Sequence, residues 1–433
     1  MAGRSSFVNL VQTDRVHRRV YTDPDVFDAE MARIYGRTWV FAGHESEVPN
    51  PGDFKTDTLV RRPIIMVRGS DGVVRVLFNT CPHRGSKVCY EDYGSGTRFR
   101  CMYHGWTFDT QGRLIGVPLR ERFANFDPDP AFGLIPLPRV ESYRGFVFVN
   151  LSPSGNPLRE HLGRGCEYLD DFCDRAPDGA IEARRPIKYS YQGNWKLQLE
   201  NYSDNYHPPV LHQSALEIGA RMLKDKYASA KFAARSTRTG YFERGYASGH
   251  GMADFGTVRG ANWMNSYENP AYLDALEQRH TPERARELME LDLHLMIYPN
   301  LLMHTRTNHF RVIKPLAVDQ TEIWTYPATF KGAPKDVNDA LVINTSHHVS
   351  AMGEVQVDDM QVFNWVQSGL QNEAMEWLMF KLTGVNQRVE DSGEFQCESP
   401  SEGIIRYQYR EWCKLMGGDE IVRLVPGGLA AEA

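Results

Sequence analysis

The sequence predicts an α+β protein in which a small antiparallel β domain precedes a larger domain of helices and strands. Its 433 residues exceed what one small domain needs. From Trp39 onward, short runs of strand-forming residues are separated by Gly, Pro, Asn and Asp, which is typical of antiparallel strands. Beyond about residue 155, helical and β-rich stretches alternate and are longer. We therefore expect a helical segment at residues 1–38, a β domain at residues 39–155 and an α+β domain at residues 156–433.

Individual elements follow from local patterns. Apolar side chains three and four residues apart predict a helix at residues 25–34, which we extend to about Arg37. Residues 63–67 and 73–78 flank a turn rich in glycine and predict a β-hairpin. Thr281 and Pro282 predict the start of a helix that runs toward Leu293, because Thr caps helices and Pro suits the first turn. Three longer stretches complete the prediction: β-rich residues 297–314, mostly helical residues 338–371 and a last helix at residues 401–415.

The composition argues against several classes of protein. Apolar residues at 42% and charged residues at 24% are ordinary for a globular enzyme. A formal charge of −6 gives no reason to expect nucleic acid or an anionic membrane as a partner. No apolar run is long enough to span a bilayer, and residues 1–11 lack the apolar core of a signal peptide. The seven cysteines are an odd number, so we expect reduced thiols in a cytoplasmic protein.

Two Cys/His pairs indicate a metal cluster. Cys81-Pro82-His83 is followed, after 17 intervening residues, by Cys101-Met102-Tyr103-His104. Two thiolates and two imidazoles are the ligands of a [2Fe–2S] cluster in which histidines replace two cysteines on one iron. Structural zinc uses the same ligand types, but a zinc finger normally has two or more residues between paired ligands, and the first pair here has one. Gly85 and Gly105, just after the pairs, let backbone N–H groups approach the bridging sulfides.

A second group of residues predicts another metal. Asp204, His207 and His212 lie close together in the chain. On a helix Asp204 and His207 would share a face, and Pro208-Pro209 would end that helix and turn His212 back toward His207. Two histidines need one more carboxylate to complete a two-His-one-carboxylate face, which leaves open positions on Fe(II) for oxygen. An isolated histidine on a helix is usually only structural. The prediction of a metal site therefore depends on Asp204, His207 and His212 occurring together.

These motifs resemble those of the Rieske ring-hydroxylating oxygenases. The sequence Cys81-Pro-His-Arg-Gly85 with Cys101-Met-Tyr-His-Gly-Trp106 is similar to their Rieske domain. The pattern of Asp204, His207 and His212, preceded by Asn194-Trp-Lys and Glu200-Asn201, is similar to their mononuclear-iron signature. The resemblance implies a β-rich Rieske domain and a catalytic domain with a helix-grip fold, in which a curved antiparallel sheet holds a long helix. The N-terminal segment would pack with the catalytic domain.

The resemblance also implies roles for individual residues. His83 and His104 would face outward for electron exchange, and Pro118 would lie in the loop that covers the cluster. The third ligand of the mononuclear iron would be an aspartate eight residues before a Gln, which selects Asp359 before Gln367. Asp358 is the next candidate and Glu354 a weaker third. Asp204 would bridge a cluster histidine of one subunit to an iron histidine of its neighbour, and Glu200 and Asn201 would lie around the ligands.

The activity implied by the resemblance is that of a terminal oxygenase. Such a protein uses O2 and NADH-derived electrons, delivered by a reductase directly or through a ferredoxin, to dihydroxylate an aromatic ring. Its cofactors would be a [2Fe–2S] cluster and a mononuclear Fe(II). Electron transfer between neighbouring subunits implies a homotrimer, with or without a small β subunit. A Rieske monooxygenase that hydroxylates or demethylates uses the same ligands and is the alternative. An electron carrier without a catalytic site would not need Asp204, His207, His212 and Asp359.

The substrate is expected to be an aromatic carboxylate. The length and layout of the chain resemble the shorter large subunits that act on benzoate-, salicylate-, cumate- or terephthalate-like acids. Within residues 301–313, an alternating pattern predicts a strand with Arg306 in its middle. An inward Arg306 would bind a carboxylate bidentately, whereas an Arg that faces solvent or pairs with an acid would not. Asn201 is a second candidate for substrate contact. His304, His309, His347 and His348 are weaker candidates for lining the pocket.

Overall fold

A computed structural model of the chain describes residues 7–123, 132–215, 217, 242–257 and 269–417. The chain divides into two compact units. The larger unit consists of Met1–Ile34 with Arg159–Ala433, and the smaller one of Tyr35–Leu158. In the part of the chain that is described, no helix is both long enough and apolar enough to cross a membrane.

The smaller unit is built from three antiparallel sheets. Their strands, in spatial order, are Val74–Phe78, Arg62–Arg68, Asp53–Leu59 and Tyr93–Ser95 in the first sheet, Leu114–Gly116, Thr107–Asp109 and Arg98–Arg100 in the second, and Arg139–Tyr143, Phe146–Asn150 and Val40–His44 in the third. The predicted hairpin is confirmed, because Ile64 pairs with Phe78 and Arg68 with Val74. Its turn contains Gly72 at a φ of 79°, a conformation that favours glycine.

The larger unit contains a sheet of ten antiparallel strands. Nine follow one another in space: Ile181–Ala183, Gln320–Phe330, His309–Ala317, Leu301–His304, Leu291–Ile297, Gly251–Thr257, Phe242–Gly245, Phe395–Glu398 and Arg388–Val389; Ile187–Tyr191 also pairs with Gln320–Phe330. The β-rich stretch expected at residues 297–314 therefore supplies central strands of this sheet. Strand pairing is antiparallel throughout, for example between Arg311 and Leu302.

Eleven α-helices lie within the described residues. They are α1 (Arg19–Thr22), α2 (Pro24–Arg33), α3 (Leu158–Leu162), α4 (Gly165–Asp174), α5 (Lys196–Ser203), α6 (Pro208–Leu211), α7 (Pro270–Glu277), α8 (Pro282–Glu290), α9 (Lys335–Val349), α10 (Gln356–Gly369) and α11 (Gly403–Leu415). The hydroxyl of Thr281 accepts a hydrogen bond from Arg284 N–H, which confirms the predicted cap of α8. This helix ends at Glu290, and Leu291 already starts a strand.

Helix α11 packs against the sheet through glycines on the strands. A Cβ at Gly245 would come within 2.7 Å of the Tyr407 side chain, and one at Gly251 within 2.3 Å of the Ile404 side chain. Larger residues at these two strand positions would therefore push the helix away. The α+β class and the packing of a helix on an antiparallel sheet were both predicted correctly.

Two predicted helical stretches differ from the structure. The N-terminal segment contains the strands Val11–Gln12 and Arg15–His17, which form a small sheet with Trp377–Met379. Local periodicity misses this sheet because its third strand lies more than 350 residues away along the chain. The stretch at residues 338–371 is broken between α9 and α10, where Ser350 is extended and Gly353 N–H closes a turn onto its carbonyl.

A buried carboxylate joins three helices of the larger unit. Glu30 of α2 is 0% exposed. It accepts hydrogen bonds from Lys196 Nζ at 2.7 Å, from Trp195 Nε1 at 2.8 Å and from Trp412 Nε1 at 2.7 Å. Trp195 and Lys196 stand at the start of α5, and Trp412 belongs to α11. The N-terminal segment is thereby fixed to the helix that leads into the residues of the candidate iron site.

Replacing Glu30 is expected to destabilise the protein strongly. The Glu30→Ala variant leaves a buried ammonium and two indole N–H groups without their acceptor, which costs roughly 3–5 kcal/mol. Urea unfolding followed by circular dichroism measures the loss. The exposed Asp28 on the same helix provides the matched control, and Asp28→Ala should change stability by less than about 0.5 kcal/mol. Equal unfolding midpoints for the two variants would contradict the proposed role of this network.

Candidate active site and metal centres

The two Cys/His pairs lie on two loops of matching geometry. In the first loop Gly85 N–H donates to the Cys81 carbonyl at 2.8 Å, and in the second Gly105 N–H donates to the Cys101 carbonyl at 2.9 Å. Both glycines have a positive φ, 73° and 74°, which other residues rarely adopt. The glycine that follows each pair is therefore needed to fold the loop that presents the ligands. Both cysteines are buried, whereas His83 and His104 are half-buried.

The two histidine side chains of these loops lie next to each other. The His83 and His104 ring centroids are 4.5 Å apart, and Trp106 stacks on His83 at 4.9 Å with the two rings nearly parallel. Nδ1 of His83 is buried and makes no hydrogen bond within the described chain. Such an orphaned nitrogen fits a metal ligand, so the donor set suits a [2Fe–2S] cluster. Pro118 lies against the second loop, since a Cβ on Gly105 would be 3.1 Å from its ring.

A second donor set converges in the larger unit. One ligand atom from each of His207, His212 and Asp359 lies within 4.8 Å of the others. Nε2 of His212 is 3.3 Å from Oδ1 of Asp359, and Nε2 of His207 is 3.7 Å from the same oxygen. His212 and Asp359 are buried, and His207 is half-buried. Two imidazoles and one carboxylate that face a common point form the set expected for a non-haem Fe(II) with open positions.

The outer nitrogens of both histidines face further carboxylates. Nδ1 of His207 is 3.2 Å from Oδ2 of Asp204, and Nδ1 of His212 is 3.2 Å from Oδ2 of Asp358. An Nδ1–H that donates to a carboxylate leaves the Nε2 lone pair free to face a metal. Burial would lower the pKa of His212, but the two aspartates outweigh it and raise this pKa above the ordinary value. Asp358 thus lies on the outer side of His212, and Asp359 on the inner side.

The local fold that brings Asp204 and His207 together is a turn rather than a helix. Helix α5 ends at Ser203, and Asp204 adopts an extended conformation whose Oδ1 accepts the Tyr206 N–H at 2.6 Å. The prediction of a shared helix face was therefore wrong, although the two side chains do meet. Pro208 begins α6 instead of ending a helix, because a proline at the first position lacks only an N–H that needs no partner there. His212 follows directly after α6.

Hydrogen bonds tie the two ligand-bearing segments together. Asn194 N–H, just before α5, donates to Oε1 of Gln367 on α10 at 2.9 Å, and Gln192 N–H donates to Oδ1 of Asn364 at 2.8 Å. Asn201 Nδ2 lies 3.0 Å from Asp359 Oδ1 and 3.2 Å from His207 Nε2. The amide of Asn201 therefore contacts two of the three candidate ligands, His207 and Asp359.

Arg306 does not lie where the sequence predicted. The strands end at His304 and start again at His309, so Arg306 belongs to the turn between them. The alternation was misleading because residues 305–308 form a turn in which Asn308 has a φ of 45°. Arg306 still lines the cavity, but its Nη1 is 3.7 Å from Oδ2 of the buried Asp292. It is therefore an arginine paired with an acid, the alternative that the sequence left open.

A cavity of about 190 Å³ lies beside the candidate iron ligands. Neighbouring strands of the large sheet and α9 contribute residues to its lining. Three of the weaker candidates, His304, His309 and His348, line it, whereas His347 is exposed. Several further residues of the lining were not predicted from the sequence: Tyr202, Asp292, His294 and Arg311. Alternation along the strand His309–Ala317 was a usable signal for Arg311, because His309 and Arg311 lie two apart and share a face.

Comparisons with known proteins agree with this arrangement. Residues 38–129 match the Rieske [2Fe-2S] domain, and residues 179–418 match the catalytic domain of the ring-hydroxylating α subunit. The chain therefore belongs to the family of Rieske ring-hydroxylating oxygenase α subunits, which are oxidoreductases that depend on a [2Fe–2S] cluster and non-haem iron. The match to the catalytic domain leaves no support for an electron carrier without a catalytic site.

Particular relatives are aromatic-ring dioxygenases. The chain is 32% identical over 394 residues to the 2-halobenzoate 1,2-dioxygenase large subunit of Burkholderia cepacia, covering 87% of this chain and 83% of the relative. It is 31% identical over 423 residues to the toluate 1,2-dioxygenase α subunit of Pseudomonas putida, covering 93% and 91%. Naphthalene 1,2-dioxygenase from Rhodococcus sp. with bound indole has a similar structure, with a TM-score of 0.80, 26% identity and coverage of 94% and 95%. A quaternary ammonium Rieske monooxygenase, at 20% identity and a TM-score of 0.68, shares the fold.

The carboxyl group of Glu200 makes stability depend on pH. It accepts hydrogen bonds from Tyr21, at 2.8 Å, and from Tyr409. Burial raises its pKa from 4.5 to about 7, against the opposing effect of the two phenols. Because the folded pKa lies above the unfolded one, the stabilisation is complete below pH 4.5 and is lost as the pH rises through 7.

Glu200→Gln should remove this dependence, since a glutamine keeps the shape and cannot ionise. The stability of the wild type relative to Glu200→Gln is expected to fall by up to about 3 kcal/mol between pH 4.5 and pH 8. Urea unfolding of both proteins across this range measures the difference, and titrations that they share cancel. Parallel stability curves for the two proteins would show that Glu200 does not change its protonation on unfolding.

Proposed function

We propose that this chain is the terminal oxygenase α subunit of a system that dihydroxylates the ring of an aromatic carboxylate with O2 and NADH-derived electrons. The single observation that carries the proposal is the convergence of His207, His212 and Asp359 at one side of a cavity. The cavity is also lined by Arg311, whose positive charge suits an anionic substrate better than a hydrocarbon. The relatives named for 2-halobenzoate and toluate support the same class of substrate.

The two centres are assigned to different parts of the chain. Cys81, His83, Cys101 and His104, within residues 39–155, would hold the [2Fe–2S] cluster. His207, His212 and Asp359, within residues 156–433, would hold the mononuclear Fe(II). When bound, the cluster supplies single electrons and the iron supplies the oxygen chemistry that side chains lack. Residues 1–38 belong with the catalytic domain, a view supported by the hydrogen bonds of Glu30 and Tyr21 to helix α5.

The protein's own contribution is to hold the ligands in one orientation. Asp204 and Asp358 keep a proton on the Nδ1 of their histidines, so that both Nε2 lone pairs face inward. Asn201 donates to Asp359 and directs its Oδ1. The buried side chains around the cavity limit access of water, which strengthens the interaction of fixed charges with a bound substrate.

Assembly and partners are part of the proposal. Asp204 is half-buried, and each of its oxygens has a lone pair beyond the hydrogen bond described above. It can therefore accept an imidazole N–H from a neighbouring subunit, which supports a homotrimer, with a small β subunit as an additional component. Oxygenases of this family work with a reductase or a ferredoxin. None of the seven cysteines, all within the described residues, forms a disulfide, which supports a cytoplasmic location.

Removing one candidate ligand should remove one metal. We expect about three irons per wild-type chain, two in the cluster and one mononuclear. Asp359→Ala should lose the mononuclear iron and all oxygenase activity while the visible spectrum of the cluster stays intact. The neighbouring Asp358→Ala is the matched control: it should keep a ligand set but bind iron roughly 10–100-fold more weakly. Retention of iron by Asp359→Ala together with its loss from Asp358→Ala would assign the ligand to Asp358.

Product analysis tests the reaction itself. The purified chain, with its irons, a surrogate reductase and NADH, should convert benzoate or a related aromatic acid to a cis-diol. With ¹⁸O2, both new oxygens should carry the label. A single labelled oxygen would identify a monooxygenase instead. Oxidation of neutral hydrocarbons without oxidation of any aromatic acid would refute the carboxylate part of the proposal. NADH consumption is not a sufficient readout, because reduction of oxygen without product also consumes NADH.

A further inference from the structure

One side chain of the cavity is a buried cation without an acidic partner. Arg311 is 6% exposed and lines the cavity. Its Nε donates to Nε2 of His309 at 3.0 Å. Among the described residues, its two terminal nitrogens make no hydrogen bond, and no carboxylate forms an ion pair with it. An arginine does not neutralise itself by losing its proton, and a buried charge without a partner is costly.

The other arginine of the cavity is in the opposite situation. Arg306 lies beside the buried carboxylate of Asp292. The remaining acids of the lining also face partners of their own: Asp204 contacts His207, and Asp359 contacts Asn201 and the two candidate ligand histidines. Within the described lining, Arg311 is thus the arginine whose positive charge has no carboxylate beside it. A bound anion would balance that charge.

A neutral histidine fixes the orientation of Arg311. Nδ1 of His304 accepts the Thr307 N–H, so the Thr307 hydroxyl must donate to that nitrogen, at 2.8 Å. The same hydroxyl oxygen then accepts from Nδ1 of His309 at 2.7 Å. His309 therefore carries its proton on Nδ1 and offers Nε2 to Arg311. Burial and the charge of Arg311 keep the pKa of His309 well below its usual range, so it stays neutral. The terminal N–H groups of the arginine are left for a ligand.

A phenol lies next to this arginine. The guanidinium carbon of Arg311 is 5.7 Å from the ring centroid of Tyr202, which also lines the cavity. The Tyr202 hydroxyl is buried and has no hydrogen-bond partner within the described chain. Burial raises the pKa of this phenol, and the charge of Arg311 opposes the rise. Arg311 offers terminal N–H groups and Tyr202 offers an O–H group, and the two oxygens of a carboxylate can accept hydrogen bonds from both residues.

We propose that Arg311 and Tyr202 form the anion-binding subsite that holds the carboxylate of the aromatic substrate, with His309 as the positioning residue for Arg311. Arg306 is then a structural partner of Asp292 and not the carboxylate ligand. This assignment rests on the proposed function, since it takes the cavity beside the candidate iron ligands as the substrate site. It deepens that proposal by naming the residues that select an acid over a neutral ring.

Binding of a matched pair of ligands tests the subsite. Benzoate and benzamide have the same shape, but only benzoate carries a charge. Calorimetry on the purified, iron-loaded protein should show that Arg311→Met weakens benzoate binding by about 100-fold, which equals about 2.7 kcal/mol at 1.36 kcal/mol per tenfold change. Benzamide affinity should change by less than about threefold. Arg311→Lys should recover part of the loss, and Tyr202→Phe should weaken benzoate binding by roughly fivefold to tenfold.

Arg306→Met is the matched control from the same cavity. It should keep the preference for benzoate over benzamide, because Arg306 is already paired. Unchanged benzoate affinity in Arg311→Met, or a loss of preference in Arg306→Met alone, would overturn the assignment. The preference is a ratio within one protein sample, so it does not depend on the folded fraction. Should Arg311→Met fail to fold, as judged by circular dichroism and urea unfolding, Arg311→Gln and Arg311→Lys carry the same test.

The subsite and the proposed function can fail separately. If wild-type protein forms a cis-diol from an aromatic acid and the Arg311 variants keep the same preference, the subsite is wrong and the function stands. If benzoate binding depends on Arg311 but no aromatic acid is oxidised, the function is wrong and the subsite stands.

Discussion

The hydrogen bonds to the buried Glu30 carboxylate are the constraint on which the catalytic unit depends. They fix the start of α5 against the N-terminal segment and against α11. Helix α5 carries Glu200 and Asn201 and leads into the turn that joins Asp204 to His207. The candidate ligands come from segments about 150 residues apart along the chain, so their convergence requires that both supporting helices be held. The buried Glu30 carboxylate holds helix α5 in place, and its hydrogen bonds to two indoles and an ammonium leave it little freedom of movement.

The hydrogen bond between Asn194 and Gln367 explains why a sequence spacing selected Asp359, the third candidate ligand. Gln367 stands eight residues after Asp359, about two turns of α10, so the two side chains lie toward the same side of that helix. Gln367 contacts the start of α5, and Asp359 faces the histidines that follow α5. The spacing thus reflects the distance between the start of α5 and the ligand turn. The Cys/His loops could also be predicted from the sequence, because each loop needs a residue with a positive φ and has a glycine at that position.

What the sequence did not predict depends on contacts distant along the chain. The N-terminal strands exist because Trp377–Met379 pairs with them. Arg306 was placed on a strand because its neighbours alternate, whereas a turn of four residues separates the strands Leu301–His304 and His309–Ala317. Arg306 faces an acid because Asp292 lies beside it, and Asp292 belongs to the separate strand Leu291–Ile297. Periodicity identifies the faces of a strand, but the charge balance of a cavity requires the positions of all its walls.

The division of the cavity between two kinds of element has a functional consequence. The candidate iron ligands come from the turns and helices around α5, α6 and α10, whereas Arg311 and His309 stand on a strand of the sheet. The proposed substrate subsite and the candidate iron ligands are therefore supported by separate hydrogen-bond networks, one through Thr307 and one through Asp204 and Asp358. Substitutions on the strand can change the charge offered to the substrate while the two-His-one-carboxylate set stays in place. Under the proposed assignment, acidic and neutral aromatic rings are distinguished by residues of the site rather than by the fold.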